Sequence, residues 1–174
     1  MNLAYLYEIQ GGLKKHIELK HPLKDGEDRL ERKFLALLVE LFEAVNDWRG
    51  FKYWVVNNSS KETLGEEGID GLHFVLEIGI ELQERGLIEN LPTKAIIHRR
   101  KDGDIIAQIK EVTRRVLELE NLSALQKETT EFKYYCLLDA YFTLLAMWGF
   151  TEEQIEKMYL EKNEKNHERQ KTNW

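Results

Sequence analysis

Two pairs of acidic residues, each pair three positions apart, constrain this chain more than any other feature. They are Glu40 with Glu43 in Glu-Leu-Phe-Glu, and Glu67 with Asp70 in Glu-Gly-Ile-Asp. Each pair lies in a run that reads as helix, where this spacing puts both carboxylates on one face. Like charges placed so repel by roughly a few tenths of a kcal/mol, and by more inside a core unless protons or a cation compensate. Two such pairs on facing helices would supply four oxygen ligands, which suit Mg²⁺ or Mn²⁺.

The apolar surroundings of the pairs favour a metal site over two solvated faces. One such pair alone is common on helix surfaces, but Glu40 and Glu43 lie beside an apolar arc, and Asp70 lies one turn before Phe74. The arc consists of Phe34, Leu37, Leu38, Leu41, Val45 and Trp48. Three further acids are interpreted as groups that support the ligands or lie at the surface: Asp47, Glu66 and Glu77.

Apolar periodicity predicts an all-α fold. Helices are expected over 3–20, 28–49, 61–87, 104–120, 130–148 and 151–171, the last opened by a capping box at Thr151-Glu-Glu-Gln. With 174 residues, 43% of them hydrophobic, and only two prolines, the chain can bury one sizeable core. We predict a single domain over 1–174, a helical bundle built round a four-helix core that carries the metal site.

Charge, cysteine usage and apolar runs exclude several classes of protein. A net charge of −6 argues against generic nucleic-acid binding, and the single Cys136, interpreted as a buried thiol, excludes an internal disulfide or a cysteine zinc cluster. Polar residues come too early for a signal peptide, and no apolar run approaches ~20 residues, so no membrane contact is expected. No Gly-rich phosphate loop is present. The cytoplasm is the expected location.

The C-terminal helix carries a second candidate site. Lys162, Asn166 and Arg169 form one stripe, with Asn163 and Gln170 on its edge. Two cations and several amides can orient a polyphosphate. A frayed polar terminus is the alternative interpretation, but beside a carboxylate metal site the combination favours phosphate binding.

Aromatic residues between and within the acidic helices could form a slot for a planar base, although each by itself is more typical of a core residue than of a ligand contact. They are Phe51, Tyr53, Trp54, His73 and Phe74. Asp70-x-x-His73 also resembles half of a di-iron bundle site, which needs that pattern twice. Because Glu40-x-x-Glu43 has no histidine in that role, iron is disfavoured.

Residues 89–103 form the least regular stretch, with Pro92 and the basic run Arg99-Arg-Lys101. It is interpreted as a basic surface loop, or alternatively as a lid that closes over phosphates.

Four motifs together resemble the dimeric all-α dUTPases, within the wider all-α nucleoside triphosphate pyrophosphohydrolases. They are Glu40-Leu-Phe-Glu43, Phe51-Lys-Tyr-Trp54, Glu67-x-x-Asp70 with Gly71-Leu-His-Phe74, and Lys162-Asn-x-x-Asn166-His-x-Arg169-Gln170. The resemblance runs from Leu3 to Gln170. The acid pairs are shared across the wider group, whereas the other motifs point to dUTP.

The resemblance implies Mg²⁺-dependent hydrolysis of dUTP, with dUDP as a second substrate, to dUMP and pyrophosphate. Two or more Mg²⁺, or Mn²⁺ in their place, would bind Glu40, Glu43, Glu67 and Asp70, and Glu43 would also orient the attacking water. The phosphates would contact Lys162, Asn166 and Arg169. The nucleoside would contact Gln10, Trp54, His73, Phe74 and Asn163, and the family implies a homodimer.

Three alternatives stay open at this point. The first is the same chemistry on another nucleotide, such as dCTP. The second is a di-iron or metal-storage bundle that uses Asp70 and His73. The third is a non-enzymatic helical interaction module whose acids are surface groups.

Overall fold

The computed structural model describes residues 1–97, 104–121 and 127–172, and within them every regular element is a helix. The six helices are α1 (Leu3–Lys20), α2 (Leu30–Trp48), α3 (Leu64–Glu84), α4 (Ile105–Glu120), α5 (Lys127–Met147) and α6 (Glu152–Lys171). The predicted all-α class is therefore confirmed, with helix ends shifted by a few residues. The basic run Arg99-Arg-Lys101 lies outside the described residues, so neither interpretation of it is tested.

Several helix ends follow from local sequence. The Asn2 side chain accepts a hydrogen bond from the Tyr5 amide at the start of α1. The predicted capping box is present at α6, where the Thr151 hydroxyl and the Gln154 side chain each bond the other's backbone amide. Helix α2 ends at Trp48, and the C-cap residue Arg49 adopts a left-handed conformation with φ of 62°.

Helix α3 is the central element, because it packs against α1, α2, α5 and α6. Buried positions lie all round it, as expected for a helix between neighbours. The glycines on α3 allow tyrosines of α5 to approach its backbone. Tyr141 donates to the Gly68 carbonyl at 3.0 Å, and a Cβ on Gly71 would lie 1.9 Å from the Tyr141 oxygen.

The core continues from α3 into α4 and α5, which pack on each other. In the described part of the chain, no helix combines the length and apolarity that a membrane crossing requires. The predicted carboxylates and the polar residues of α6 lie away from the α4–α5 part of the core, at the place where α1, α2, α3 and α6 meet.

Candidate active site

Three carboxylates from α2 and α3 converge beside the core. Glu40, Glu67 and Asp70 each offer an oxygen within 4.8 Å of the others. We call these three residues the acidic centre. All three are half-buried, since α2 and α3 pack closely and bring the two predicted acid pairs face to face.

The acidic centre has more negative charge than its surroundings compensate. Burial raises the pKa of Glu40 to about 7, and the nearby charges of Asp70, Glu43 and Glu67 contribute to the shift. Burial and neighbouring acids also raise the pKa of Glu67, and burial raises that of Asp70. Half-buried carboxylates that repel one another need protons or a cation. Their hard oxygen donors fit a divalent cation such as Mg²⁺.

The fourth predicted ligand, Glu43, lies outside this tight group. Its side chain is exposed and lines an adjoining groove together with Glu67 and Asp47. Asp47 is buried and accepts hydrogen bonds from Lys61 and Thr63, which ties the end of α2 to the residues before α3. Glu43 is thus the carboxylate of the two pairs that is most open to water.

One ammonium group reaches the acidic centre. Lys162 on α6 is buried, and its Nζ lies 2.5 Å from an Asp70 oxygen and 2.9 Å from a Glu66 oxygen. Burial by itself lowers the pKa of Lys162, but the hydrogen bonds to Asp70 and Glu66 outweigh it and raise the pKa. Lys162 therefore stays charged and offsets part of the negative charge.

A cavity of about 510 Å³, which we call the central cavity, opens beside the acidic centre. It reaches from Glu40 and Asp70 to residues of all four surrounding helices. Its lining includes the predicted residues Gln10, His73, Phe74, Asn166, Arg169 and Gln170, and also Lys14, Lys33 and Glu77. Acids, cations and an aromatic ring thus share one enclosure, which could hold a charged ligand with a planar part.

The wall of the central cavity at α1 is a hydrogen-bonded network. The Gln10 Oε1 atom accepts from the Tyr159 hydroxyl at 2.6 Å and lies 2.8 Å from His73 Nδ1. The Gln10 Nε2 atom donates to Glu77 at 3.1 Å. The His73 ring stacks on Tyr159 with centroids 4.1 Å apart, and burial lowers its pKa to about 3, so the imidazole is neutral.

Two buried polar atoms near this wall lack a hydrogen-bond partner within the described residues. They are His73 Nε2 and Asn163 Nδ2. Asn163 lies one turn along α6 from Tyr159, the residue that stacks on His73. An unsatisfied buried polar group costs about 1–3 kcal/mol. His73 lines the central cavity, so a ligand there could satisfy its Nε2 atom, whereas Asn163 is not part of the cavity lining.

The structure does not bring Trp54 to this network. The side chains of Phe51, Tyr53 and Trp54 are exposed. The Trp54 ring contacts the other two edge-on, with its centroid 5.9 Å from that of Phe51 and 5.2 Å from that of Tyr53. None of the three lines the central cavity. Of the predicted aromatic slot, only His73 and Phe74 lie in the cavity wall.

Two residues that the sequence reasoning missed belong to the site. Lys33 precedes Glu40 by seven residues on α2, and its ammonium lies 2.9 Å from Glu77. Tyr159 precedes Asn163 by four residues on α6. Both offsets keep a residue on the same helix face, so helical spacing from the predicted site residues could have found them.

Comparison with known families gives one match. A family model described as dUTPase matches residues 2–174 of the chain. No curated protein and no solved structure matches the chain.

Proposed function

The chain belongs to the all-α dUTPase family, whose members are dUTP diphosphatases, and from this premise we propose that it cleaves dUTP to dUMP and pyrophosphate with Mg²⁺. The convergence of Glu40, Glu67 and Asp70 beside the central cavity is the observation that carries the proposal. In the same proposal dUDP is a second substrate.

The metal ligands in this proposal are Glu40, Glu43, Glu67 and Asp70. Three of them, Glu40, Glu67 and Asp70, are half-buried and crowded by like charge, which supports this assignment, because added positive charge would relieve the repulsion. Glu43 adds to the repulsion from its exposed position. Divalent ions held there would lower the pKa of the attacking water and offset charge on the phosphates. Mn²⁺ offers similar chemistry with the same oxygen ligands.

Glu43 is the proposed general base. It is exposed, so water can reach it, and its charge acts on both Glu40 and Glu67. From this position its carboxylate would orient the water and accept its proton.

Three residues of α6 would hold the phosphate chain: Lys162, Asn166 and Arg169. Asn166 and Arg169 line the central cavity on the α6 side, and Lys162 lies at its acidic end. A cation bound to Asp70 would weaken the ion pair between Asp70 and Lys162, and the Lys162 ammonium would then be available to phosphate oxygens.

The nucleoside would contact Gln10, His73, Phe74 and Asn163, with Trp54 included on the family resemblance alone. The two unpartnered atoms support this placement: Asn163 Nδ2 is a donor, and His73 Nε2 is an acceptor when the neutral ring carries its hydrogen on Nδ1. A uracil edge offers a donor, N3–H, beside an acceptor, O4.

Homodimer formation is the proposed assembly. Helix α2 carries an exposed apolar stripe formed by Leu35, Val39 and Phe42. The exposed fractions of these side chains are 62%, 47% and 49%, respectively. The stripe lies beside Glu43 and Glu67 in the same groove, and a second copy that covers it would remove this apolar surface from water. We expect Val39→Glu to shift the protein to monomer in light scattering. Leu19→Glu, at an 82% exposed site on α1, is the matched control.

A reducing compartment such as the cytoplasm is the proposed location. The single cysteine supports it, because a chain with one cysteine forms no internal disulfide. Cys136 is half-buried and not fully buried as expected, and burial raises the pKa of its thiol.

Product analysis tests the activity. Purified protein with Mg²⁺ is given dUTP, dUDP, dTTP, dCTP, dATP, dGTP and UTP in turn, and a chelator serves as the control. We expect dUMP and pyrophosphate from dUTP, dUMP and phosphate from dUDP, and no turnover with the chelator. Pyrophosphate from several triphosphates would keep the chemistry and reject the specificity, whereas no hydrolysis by the folded protein would reject both.

A further inference from the structure

The Gln10 side-chain amide is buried and touches three groups. They are the Glu77 carboxylate, the Tyr159 hydroxyl and the His73 imidazole, at 3.1, 2.6 and 2.8 Å. Because the two ends of an amide have opposite polarity, the way Gln10 points decides which partner meets a donor and which an acceptor.

Of these three groups, only Glu77 has a fixed polarity. A tyrosine hydroxyl can donate or accept, and a neutral imidazole can do either at Nδ1, depending on its tautomer. A carboxylate only accepts, and Glu77 is held in an ion pair by Lys33 at 2.9 Å. Glu77 therefore requires the NH₂ end of Gln10, which leaves the carbonyl end for Tyr159 and His73.

This orientation dictates the tautomer of His73. A carbonyl oxygen opposite Nδ1 requires Nδ1 to carry the hydrogen, so Nε2 of the neutral ring is a bare acceptor. His73 is 5% exposed, and its Nε2 has no hydrogen-bond partner among the described residues. The residue lines the central cavity, so a ligand there can supply the missing donor.

We propose that Glu77 is a positioning residue that fixes the Gln10 amide and, through it, the Nδ1–H tautomer of His73, which then selects nucleosides that offer a hydrogen-bond donor. The inference rests on the proposed function for the substrate, but the tautomer can be measured without one.

Two groups of deoxyuridine could be this donor: the base N3–H and the sugar 3′-hydroxyl. Cytosine has a bare nitrogen at position 3, so an acceptor at His73 would reject it if the contact is to the base. If the contact is to the sugar, an acceptor at His73 would reject a nucleotide that lacks the 3′-hydroxyl. Sites that hydrogen-bond a substrate group discriminate strongly against analogues that lack it.

The first experiment reads the tautomer by ¹⁵N NMR of the histidine rings in substrate-free protein, with His73→Gln to assign the signals. We expect His73 to be Nδ1–H in the wild type and a mixture of tautomers in Glu77→Leu, which removes the acceptor. Glu77→Gln, which keeps an oxygen acceptor for Gln10, should restore the single tautomer. Glu81→Leu is the matched control, because Glu81 shares the Lys33 partner but does not contact Gln10.

The second experiment measures kcat/KM for dUTP, dCTP and the 2′,3′-dideoxy analogue of dUTP. In Glu77→Leu we expect one preference, for dUTP over dCTP or over the dideoxy analogue, to fall about tenfold, the usual size of one lost hydrogen bond. Which preference falls identifies the donor as N3–H or the 3′-hydroxyl. Glu77→Gln should recover the preference, and Glu81→Leu should keep it.

An Nε2–H tautomer in the wild type, or an unchanged tautomer and unchanged preferences in Glu77→Leu, would overturn the inference. If Glu77→Leu does not fold, Glu77→Ala takes its place, and the wild-type spectrum alone still decides the tautomer. A wild type that shows the Nδ1–H tautomer but does not hydrolyse dUTP would reject the proposed function while leaving the role of Glu77 in place.

Discussion

Two groups of charged residues lie within a few helical turns of each other along α3 and behave in opposite ways. In the acidic centre, Glu40, Glu67 and Asp70 have raised pKa values, because burial and mutual repulsion disfavour their charge. Further along the helix lies an ion-pair cluster made of Lys14, Lys33, Glu77, Glu81, Glu84 and Arg85. There each of the three carboxylates is ion-paired with at least one of the three cations.

Glu81 shows the contrast at a single residue. Burial alone would raise its pKa, but Lys33 at 2.8 Å, Arg85 at 2.8 Å and Lys14 at 3.8 Å lower it on balance. In the acidic centre the Lys162 ammonium pairs with Asp70 and is shared with Glu66, and the charge of Arg169 also acts on Asp70. Even so, the pKa of Asp70 stays above its ordinary value. Fixed cations make the cluster part of the scaffold, whereas their shortage leaves the acidic centre ready to bind added charge.

The largest expected effect separates the two groups by activity. Glu43→Gln should lower turnover about 10²–10⁴-fold, since it removes the proposed general base. Because Glu43 is exposed, the melting temperature should hardly change. Glu84→Gln, an exposed acid of the ion-pair cluster, is the control and should keep turnover. Near-wild-type turnover of the Glu43 variant would remove Glu43 from the mechanism.

A second substitution tests whether a cation of α6, Arg169, binds the phosphates of the substrate. Arg169→Ala should raise KM for dUTP about tenfold or more, as expected for a lost charged hydrogen bond to phosphate. Lys171→Ala, two residues on and paired with Glu168, is the control for general charge effects. Unchanged steady-state kinetics of the Arg169 variant would exclude it from the phosphate site.

Metal-free stability should respond with opposite signs in the two groups. Glu40→Gln removes a repelled charge and should raise the melting temperature at neutral pH by a few degrees, whereas Glu81→Gln removes a paired charge and should lower it by about as much. Calorimetry in chelator measures both. Mg²⁺ should stabilise the wild type and the Glu81 variant more than the Glu40 variant. Shifts of the same sign would refute the contrast.

The smallest expected effect is a pH dependence. The folded-state pKa of Glu40 is about 7 against an ordinary value of 4.5, so the folded chain binds more protons than the unfolded chain between these values. Stability without metal should therefore fall as pH rises from about 4.5 to about 7. For Glu81, whose pKa is lowered, the contribution is present above 4.5 and lost as pH falls below it. Urea titrations across this range measure the slope, which Glu40→Gln should flatten.

Sequence reasoning reached the helices and about half of the cavity lining, because both depend on helical periodicity. Glu40, Glu67 and Asp70 converge as the acid spacing predicted, and Asn166 and Arg169 lie in one cavity with Gln10 and His73. Helix ends were less accurate: α5 begins at Lys127, not near 130, because end positions depend on tertiary packing as well as on local signals.

Two features of the site depend on how the helices pack and could not be read from spacing. Glu43 lies in the groove that adjoins the acidic centre and not in the centre itself. The register of α2 against α3 decides which acid of a pair faces inward. Trp54 follows α2 in a connection whose path no periodic pattern specifies, and it lies away from the central cavity.

The sequence by itself determined that this chain forms amphipathic helices with paired acids, since side-chain order fixes which residues share a helix face. Only the tertiary structure decided which charges meet. It brought Lys33 to Glu77 across α2 and α3, Lys162 to Asp70 across α3 and α6, and Gln10 between Glu77 and His73. These contacts join residues far apart in the chain, and the balance of charge in a buried site depends on distances of a few ångströms, which packing sets.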